Sequence, residues 1–127
     1  MSVALQGRLD EGLPLFDQAW AAYTAMGLRT NGVNLLAGKA QALAEAGLVQ
    51  EAGSALADAQ RELATYGERH GEPLLLLAEA VLRHARSDDP AEVSRAFAAA
   101  ADLATTQGSH AITRRVRATA ERLGCSV

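Results

Sequence analysis

Apolar residues recur three or four positions apart along much of this chain, which is the spacing that gathers side chains on one face of an α-helix. One stretch carries Ala52, Leu56, Ala59 and Leu63 at intervals of four, three and four residues. Glycines or an Asp-Pro break follow such stretches, and these residues typically end one helix or begin the next. The pattern predicts helices at about 10–26, 31–46, 49–66, 72–86, 91–107 and, if the C-terminal stretch forms fully, 109–123.

The predicted helices repeat at a nearly constant interval. Two openings, at 7–12 and 47–52, are closely alike, and a looser third runs from 87 to 93. Each contains a glutamate that is followed five residues later by a large apolar residue and eight residues later by an alanine, with one extra residue before the third glutamate. These pairs are Phe16 and Ala19, Leu56 and Ala59, and Phe97 and Ala100. A period of about 40 residues in an Ala- and Leu-rich chain predicts stacked helical hairpins.

The repeat therefore predicts an all-α fold in which short connections make consecutive helices antiparallel. We expect a single domain over residues 1–127, because this length allows one modest core. Its units are a half repeat at 7–27, full repeats at 28–67 and 68–108, and a half repeat at 109–124. A half repeat is expected to leave an apolar face exposed. A possible oligomer seam is therefore predicted at Leu13, Phe16, Trp20 and Tyr23.

The composition favours packed helices and makes several partners unattractive. Alanine, the best helix former, supplies 28 of the 127 residues. The net charge of −3 argues against nucleic acid or an anionic membrane as a partner. The longest strongly apolar stretch, 74–78, is far too short to span a bilayer. Cys125 is the single cysteine and cannot form an internal disulfide, so we expect a cytoplasmic protein.

No enzyme signature is present, and we expect a non-catalytic protein without a cofactor or metal ion. Glycines stand singly in the predicted helices and form no phosphate loop, and Gly53 is expected to allow close helix contact. His70, His84 and His110 lack metal-ligand spacing. Cys125 is interpreted as an exposed thiol at a frayed end. His84 is interpreted as a solvated helix residue, with a place in a ligand groove as the alternative.

The only basic cluster consists of Arg114, Arg115, Arg117 and Arg122. These arginines could form a solvated face, bind the acidic surface of a partner or contact phosphates. DNA reading is disfavoured, because no aromatic or Asn/Gln set accompanies them and no helix-turn signature precedes them. The solvated face is the favoured interpretation.

The apolar pattern resembles the tetratricopeptide repeat, in which small residues mark helix contacts and large residues fill the gaps. Within 36–59 the resemblance is carried by Leu36, Ala40, Leu43, Gly47, Ala52, Leu56 and Ala59, and the next unit continues it with Leu76, Ala80, Val93, Phe97 and Ala100. The period is longer than the roughly 34 residues usual for this repeat, and Arg83 replaces an aromatic or leucine. The longer period is similar to variant repeats in the arms of bacterial multidomain regulators, such as ATP-dependent activators of the maltose-regulator type, cyclases and kinases.

The resemblance implies a right-handed superhelical stack in which the first helix of each pair lines a concave groove. By this resemblance the groove residues are Asn34, Gln41, Glu45, Leu77, Val81, His84, Arg115 and Arg122. An apolar wall with polar anchors suits a peptide or a partner helix. We therefore expect a protein–protein interaction module that is a fragment or regulatory arm of a larger bacterial signalling or transcription regulator. The alternatives are a small-ligand sensor arm and a self-assembly module that forms a homo-dimer through its end helices.

Overall fold

The computed structural model describes residues 14, 17–18, 32–66 and 71–125. The described residues contain helices and no strand, which confirms the all-α prediction. Pro14, Asp17 and Gln18 are helical, and the Lys39 ammonium lies 2.8 Å from a carboxylate oxygen of Asp17. The predicted oligomer seam lies outside the described residues, namely Leu13, Phe16, Trp20 and Tyr23.

Five helices span the two long described segments. They are α1 (Gly32–Glu45), α2 (Val49–Tyr66), α3 (Glu72–Ala85), α4 (Pro90–Thr106) and α5 (His110–Arg122). Each bound lies within one position of the corresponding prediction. Prolines occupy the first turns of α3 and α4, where the fixed φ of proline suits a helix and its missing N–H costs no hydrogen bond.

Helices α1, α3, α4 and α5 end in the same kind of turn. After α1, the N–H of Gly47 donates to the carbonyl of Ala44 and the following N–H donates to the carbonyl of Leu43. This pair of bonds defines a Schellman motif, in which the residue after the helix cap adopts a positive φ. Among the described residues, the positions with positive φ are Gly47, Ser87, Gly108 and Gly124. Three of the four are therefore glycine, the residue that tolerates this conformation without steric cost.

Ser87 is the exception, and we expect Ser87→Gly to raise the free energy of unfolding by roughly 0.5–1 kcal/mol. At a φ of 60°, a non-glycine residue destabilises the folded state by about 1–2 kcal/mol. Glycine removes this steric cost, but the greater freedom of glycine in the unfolded chain offsets part of the gain. Ser94→Gly is the matched control, because Ser94 lies inside α4 and glycine should destabilise it there. Urea titrations of both variants test the difference. A destabilised S87G protein would contradict the turn geometry.

One glycine predicted to mark a close helix contact does not do so. A Cβ added at Gly53 would meet only the end of the Arg86 side chain, at 3.8 Å. The close approach occurs instead at Gly71, immediately before α3, where an added Cβ would lie 2.9 Å from the Cβ of Val33 on α1. The absence of a side chain at Gly71 therefore allows α3 to begin directly against α1.

The helices pack in two layers. The first contains α1, α3 and α5, with α3 in contact with both of the others. The second contains α2 and α4, and each of these packs against its own hairpin partner and against the first-layer helix that follows it. Because α3 contacts all four other helices, it lies at the centre of the described structure.

Residues that repeat in the sequence form the core. Ala52, Ala59, Phe97 and Ala100 each have 0% of their surface exposed. Leu56 and Phe97 occupy equivalent positions of the two units, as do Ala59 and Ala100, and all four side chains are buried. This burial is what nested helical hairpins require, since alanine allows the helices to approach and phenylalanine fills the remaining space.

Candidate functional site

Side chains of α1 and α5 meet at one surface of the α1/α3/α5 layer. Nη2 of Arg115 donates a hydrogen bond to the side-chain oxygen of Gln41 over 3.3 Å. The side-chain nitrogen of Gln41 in turn donates to a carboxylate oxygen of Glu45 over 3.1 Å. The other carboxylate oxygen of Glu45 pairs with Arg122. We call these four residues the bridge, because their hydrogen bonds connect α1 with α5, two helices that are far apart in the sequence.

The bridge is a polar contact at the edge of the core. Gln41 is buried, and both atoms of its amide group are paired. The Glu45 side chain is only 13% exposed, whereas that of Arg122 is 57% exposed. Solvent screening at Arg122 limits such a pair to about 0–1 kcal/mol. The bridge therefore fixes side-chain positions on this surface but can open at small cost.

Two predicted groove residues belong to the core instead. Leu77 is 0% exposed and offers no surface to a partner, because α3 has a central position and is covered by helices on several sides. Val81 is 1% exposed, but it contributes to the lining of a surface hollow that Glu45 and His84 also line. The prediction that Leu77 forms part of the apolar wall of a groove is corrected accordingly.

Asn34 lies two helical turns from the bridge, at the beginning of α1. Its side-chain oxygen is buried and has no hydrogen-bond partner within the described part of the chain. An added Cβ on Gly71 would lie 3.0 Å from this oxygen, which places Asn34 against the start of α3. The structure therefore separates Asn34 from the other polar residues of the predicted groove.

His84 is exposed near the C-terminal end of α3, between two surface hollows. One hollow, of about 320 Å³, is lined by Glu45 and Leu123 among others and adjoins the bridge. The other, of about 390 Å³, is lined by residues that include Asp88, Ser94 and Cys125. His84 thus borders the bridge surface on one side and a second, more polar surface on the other.

Cys125 contacts His84, a pairing that the sequence analysis missed. The thiol sulfur lies 3.4 Å from Nδ1 of His84, and the backbone N–H of Cys125 donates to the carbonyl of Ala120 over 2.8 Å. Cys125 is half-buried and hydrogen-bonded, which corrects its interpretation as an exposed, frayed thiol. Burial raises the pKa of the thiol, so the protonated form is favoured.

The described residues offer no site for metal chemistry. Nowhere in 32–66 and 71–125 do three His, Cys, Asp or Glu residues gather as a metal-binding group.

Comparison with family models, curated proteins and solved structures finds no match to this chain. Within residues 32–66 and 71–125, no helix combines the length and apolar character needed to cross a membrane.

The outer face of α5 is polar. Its buried side chains are Thr113, Val116, Thr119 and Ala120, and its exposed residues are His110, Ala111, Arg114, Arg115, Arg117, Ala118, Glu121 and Arg122. The expectation that a half repeat leaves an apolar face exposed is therefore wrong for α5.

Proposed function

We propose that this chain is a tetratricopeptide-like helical array that binds a segment of a partner protein and catalyses no reaction. The sequence repeat, the two helix layers and the buried alanines support the right-handed superhelical arrangement. The proposal includes a role as a regulatory arm of a larger bacterial regulator in the cytoplasm, for which the sequence resemblance is the support.

The bridge is the observation that carries the binding proposal. The resemblance to tetratricopeptide repeats assigns Gln41, Glu45, Arg115 and Arg122 to one groove, and these are the residues that hydrogen-bond to one another across the α1/α3/α5 layer. Arg115 and Arg122 are exposed, and the largely buried Gln41 amide and Glu45 carboxylate hold their guanidinium groups near the hollow that His84 borders. Such a surface offers polar anchors for the backbone and side chains of an extended or helical peptide.

A partner would bind by exchanging bridge contacts for its own. The Arg115–Gln41 bond is long, at 3.3 Å, and the Arg122–Glu45 pair is partly exposed, so both can be replaced at modest cost. The hollow beside the bridge, with Leu123 and Ala85 in its lining, could accept one apolar side chain of the partner. Val81 also lines this hollow, whereas Leu77 in the core would remain closed.

We expect the double variant Gln41→Ala/Arg115→Ala to bind groove peptides at least about tenfold more weakly, because both polar anchors are removed. The probes are peptides selected from a random displayed library against the unmodified protein, and affinity is measured by fluorescence anisotropy. Circular dichroism should show unchanged helicity.

The matched control is Gln60→Ala/Arg61→Ala, which makes the same two chemical changes on the exposed face of α2. This control should bind the selected peptides as the unmodified protein does. If no peptide is enriched, or if Q41A/R115A binds with full affinity, the groove proposal is wrong.

A further inference from the structure

Positive charge is concentrated in α5, the last described helix. α5 carries four arginines and one glutamate within 13 residues, a net charge of +3. The whole chain has a net charge of −3, so the remaining residues together carry −6. All four arginines are exposed. A basic surface on an otherwise acidic protein attracts acidic partners and orients them toward this helix.

The exposed face of α5 also has a shape suited to another helix. Ala111 and Ala118 are exposed and seven residues apart, so they lie on one line along the helix. Arg115 and Arg122 run along one side of this line, and Arg114 lies on the other side. A strip of small side chains flanked by charges lets a second helix approach closely while its own charged residues meet the flanking ones.

The arginines differ in how far they are already engaged. Arg115 and Arg122 are held by the bridge. Arg114 and Arg117 form no ion pair with any residue in the described part of the chain, although Arg117 lines a hollow together with Asp102 and Glu121. Their guanidinium groups are therefore available for charge-assisted hydrogen bonds to carboxylates.

We infer that the outer face of α5 docks an acidic helical segment of a partner protein, with Arg114 and Arg117 as the free carboxylate-binding groups. Charge complementarity is the argument for this occupant, since the basic face is local and the rest of the chain would repel acidic segments elsewhere. Arg114 and Arg117 do not belong to the bridge and do not line the hollow beside it, so the inference goes beyond the proposed groove and does not depend on it.

The direct test measures binding of a short fluorescein-labelled helical peptide, composed of glutamate and alanine in equal numbers, at low salt. Arg114→Gln/Arg117→Gln should weaken binding by about tenfold and reduce its salt dependence, because two carboxylate contacts are lost. The matched control, Arg61→Gln/Arg95→Gln, removes two exposed arginines from α2 and α4 and should bind almost as the unmodified protein does.

Three outcomes would overturn the inference. Equal losses in both double variants would show that only overall charge matters. Undiminished binding of the same peptide with glutamine in place of glutamate would show that the carboxylates are not recognised. Tighter binding of a single-stranded oligonucleotide of equal charge would assign the face to nucleic acid instead. Peptides selected for the groove should bind R114Q/R117Q normally, which separates this test from that of the proposed function.

Discussion

Replacing Phe97 with alanine should lower the free energy of unfolding by about 3–5 kcal/mol, which we expect to be the largest effect of any single truncation among the described residues. Phe97 is the largest fully buried side chain among the described residues. It lies on α4, which packs against both α3 and α5. Truncation removes its buried apolar surface and leaves a cavity that the neighbouring helices can fill only in part.

Urea denaturation followed by circular dichroism measures this effect. Small domains are stable by only about 5–15 kcal/mol, so Phe97→Leu is the companion variant in case F97A does not fold completely. Leucine keeps most of the volume, and its cost should stay below about 1.5 kcal/mol if the site can repack. A loss below about 1 kcal/mol in F97A, which is typical of exposed positions, would contradict the burial of this ring.

The importance of Phe97 follows from the alanine-rich core. Each alanine buries little apolar area, so most buried positions contribute little transfer free energy individually. Among the described residues, the buried apolar side chains are those of thirteen alanines, seven leucines, four valines, Phe97 and Pro73. Alanines allow the helices to approach, whereas the larger side chains supply most of the buried apolar surface. Phe97 is the largest of these side chains, so its truncation should remove the most buried surface.

Helix positions were well predicted because their signals are local. Turn residues such as Gly47 and Gly108 mark the helix ends by themselves, and apolar spacing identifies the buried stripes of α2 and α4. From residue type alone, Ser87 is predicted only to lie in a break between two helices. The structure shows that it adopts the same turn as Gly47, its counterpart in the preceding repeat. Register between repeats therefore carries information that residue type alone does not.

The side chains of α3 were harder to assign. Apolar residues fill most of 74–82, so periodicity cannot distinguish a face that lines a groove from one that is buried. Leu77 and Val81 are buried because α3 contacts four other helices, a property of the assembly that no stripe on α3 reveals. Polar residues carry a clearer signal, since register assigns Gln41 and Arg115 to one surface and they are hydrogen-bonded in the structure.

The contact between His84 and Cys125 depends on how α5 returns to α3. The two residues are distant in sequence, and sequence analysis assigns each a separate role as a surface group. One signal could have linked them: Cys125 follows Gly124 as Leu48 follows Gly47, so each is the second residue of a helix-ending turn that folds back on its helix. Side-chain contacts of this kind follow from turn geometry combined with helix packing.

Leu77→Ala tests whether this side chain belongs to the core, and it should cost about 2–5 kcal/mol of unfolding free energy. The matched control is Leu76→Ala on the neighbouring half-buried residue. It should cost roughly 1 kcal/mol, because this truncation removes much less buried apolar surface. Thermal and urea unfolding of the two variants measure the difference. If L77A does not fold, Leu77→Met, which keeps the volume, should fold with a loss below about 1.5 kcal/mol.

The comparison also decides where a partner can bind. Equal small losses in L77A and L76A would return Leu77 to the surface and restore an apolar groove wall on α3. A large loss confined to L77A would leave the bridge and its neighbouring hollow as the accessible part of the α1/α3/α5 layer. The bridge contains one ion pair, Arg122–Glu45, whose loss should cost only about 0–1 kcal/mol, so this surface could rearrange around a peptide while the core stays folded.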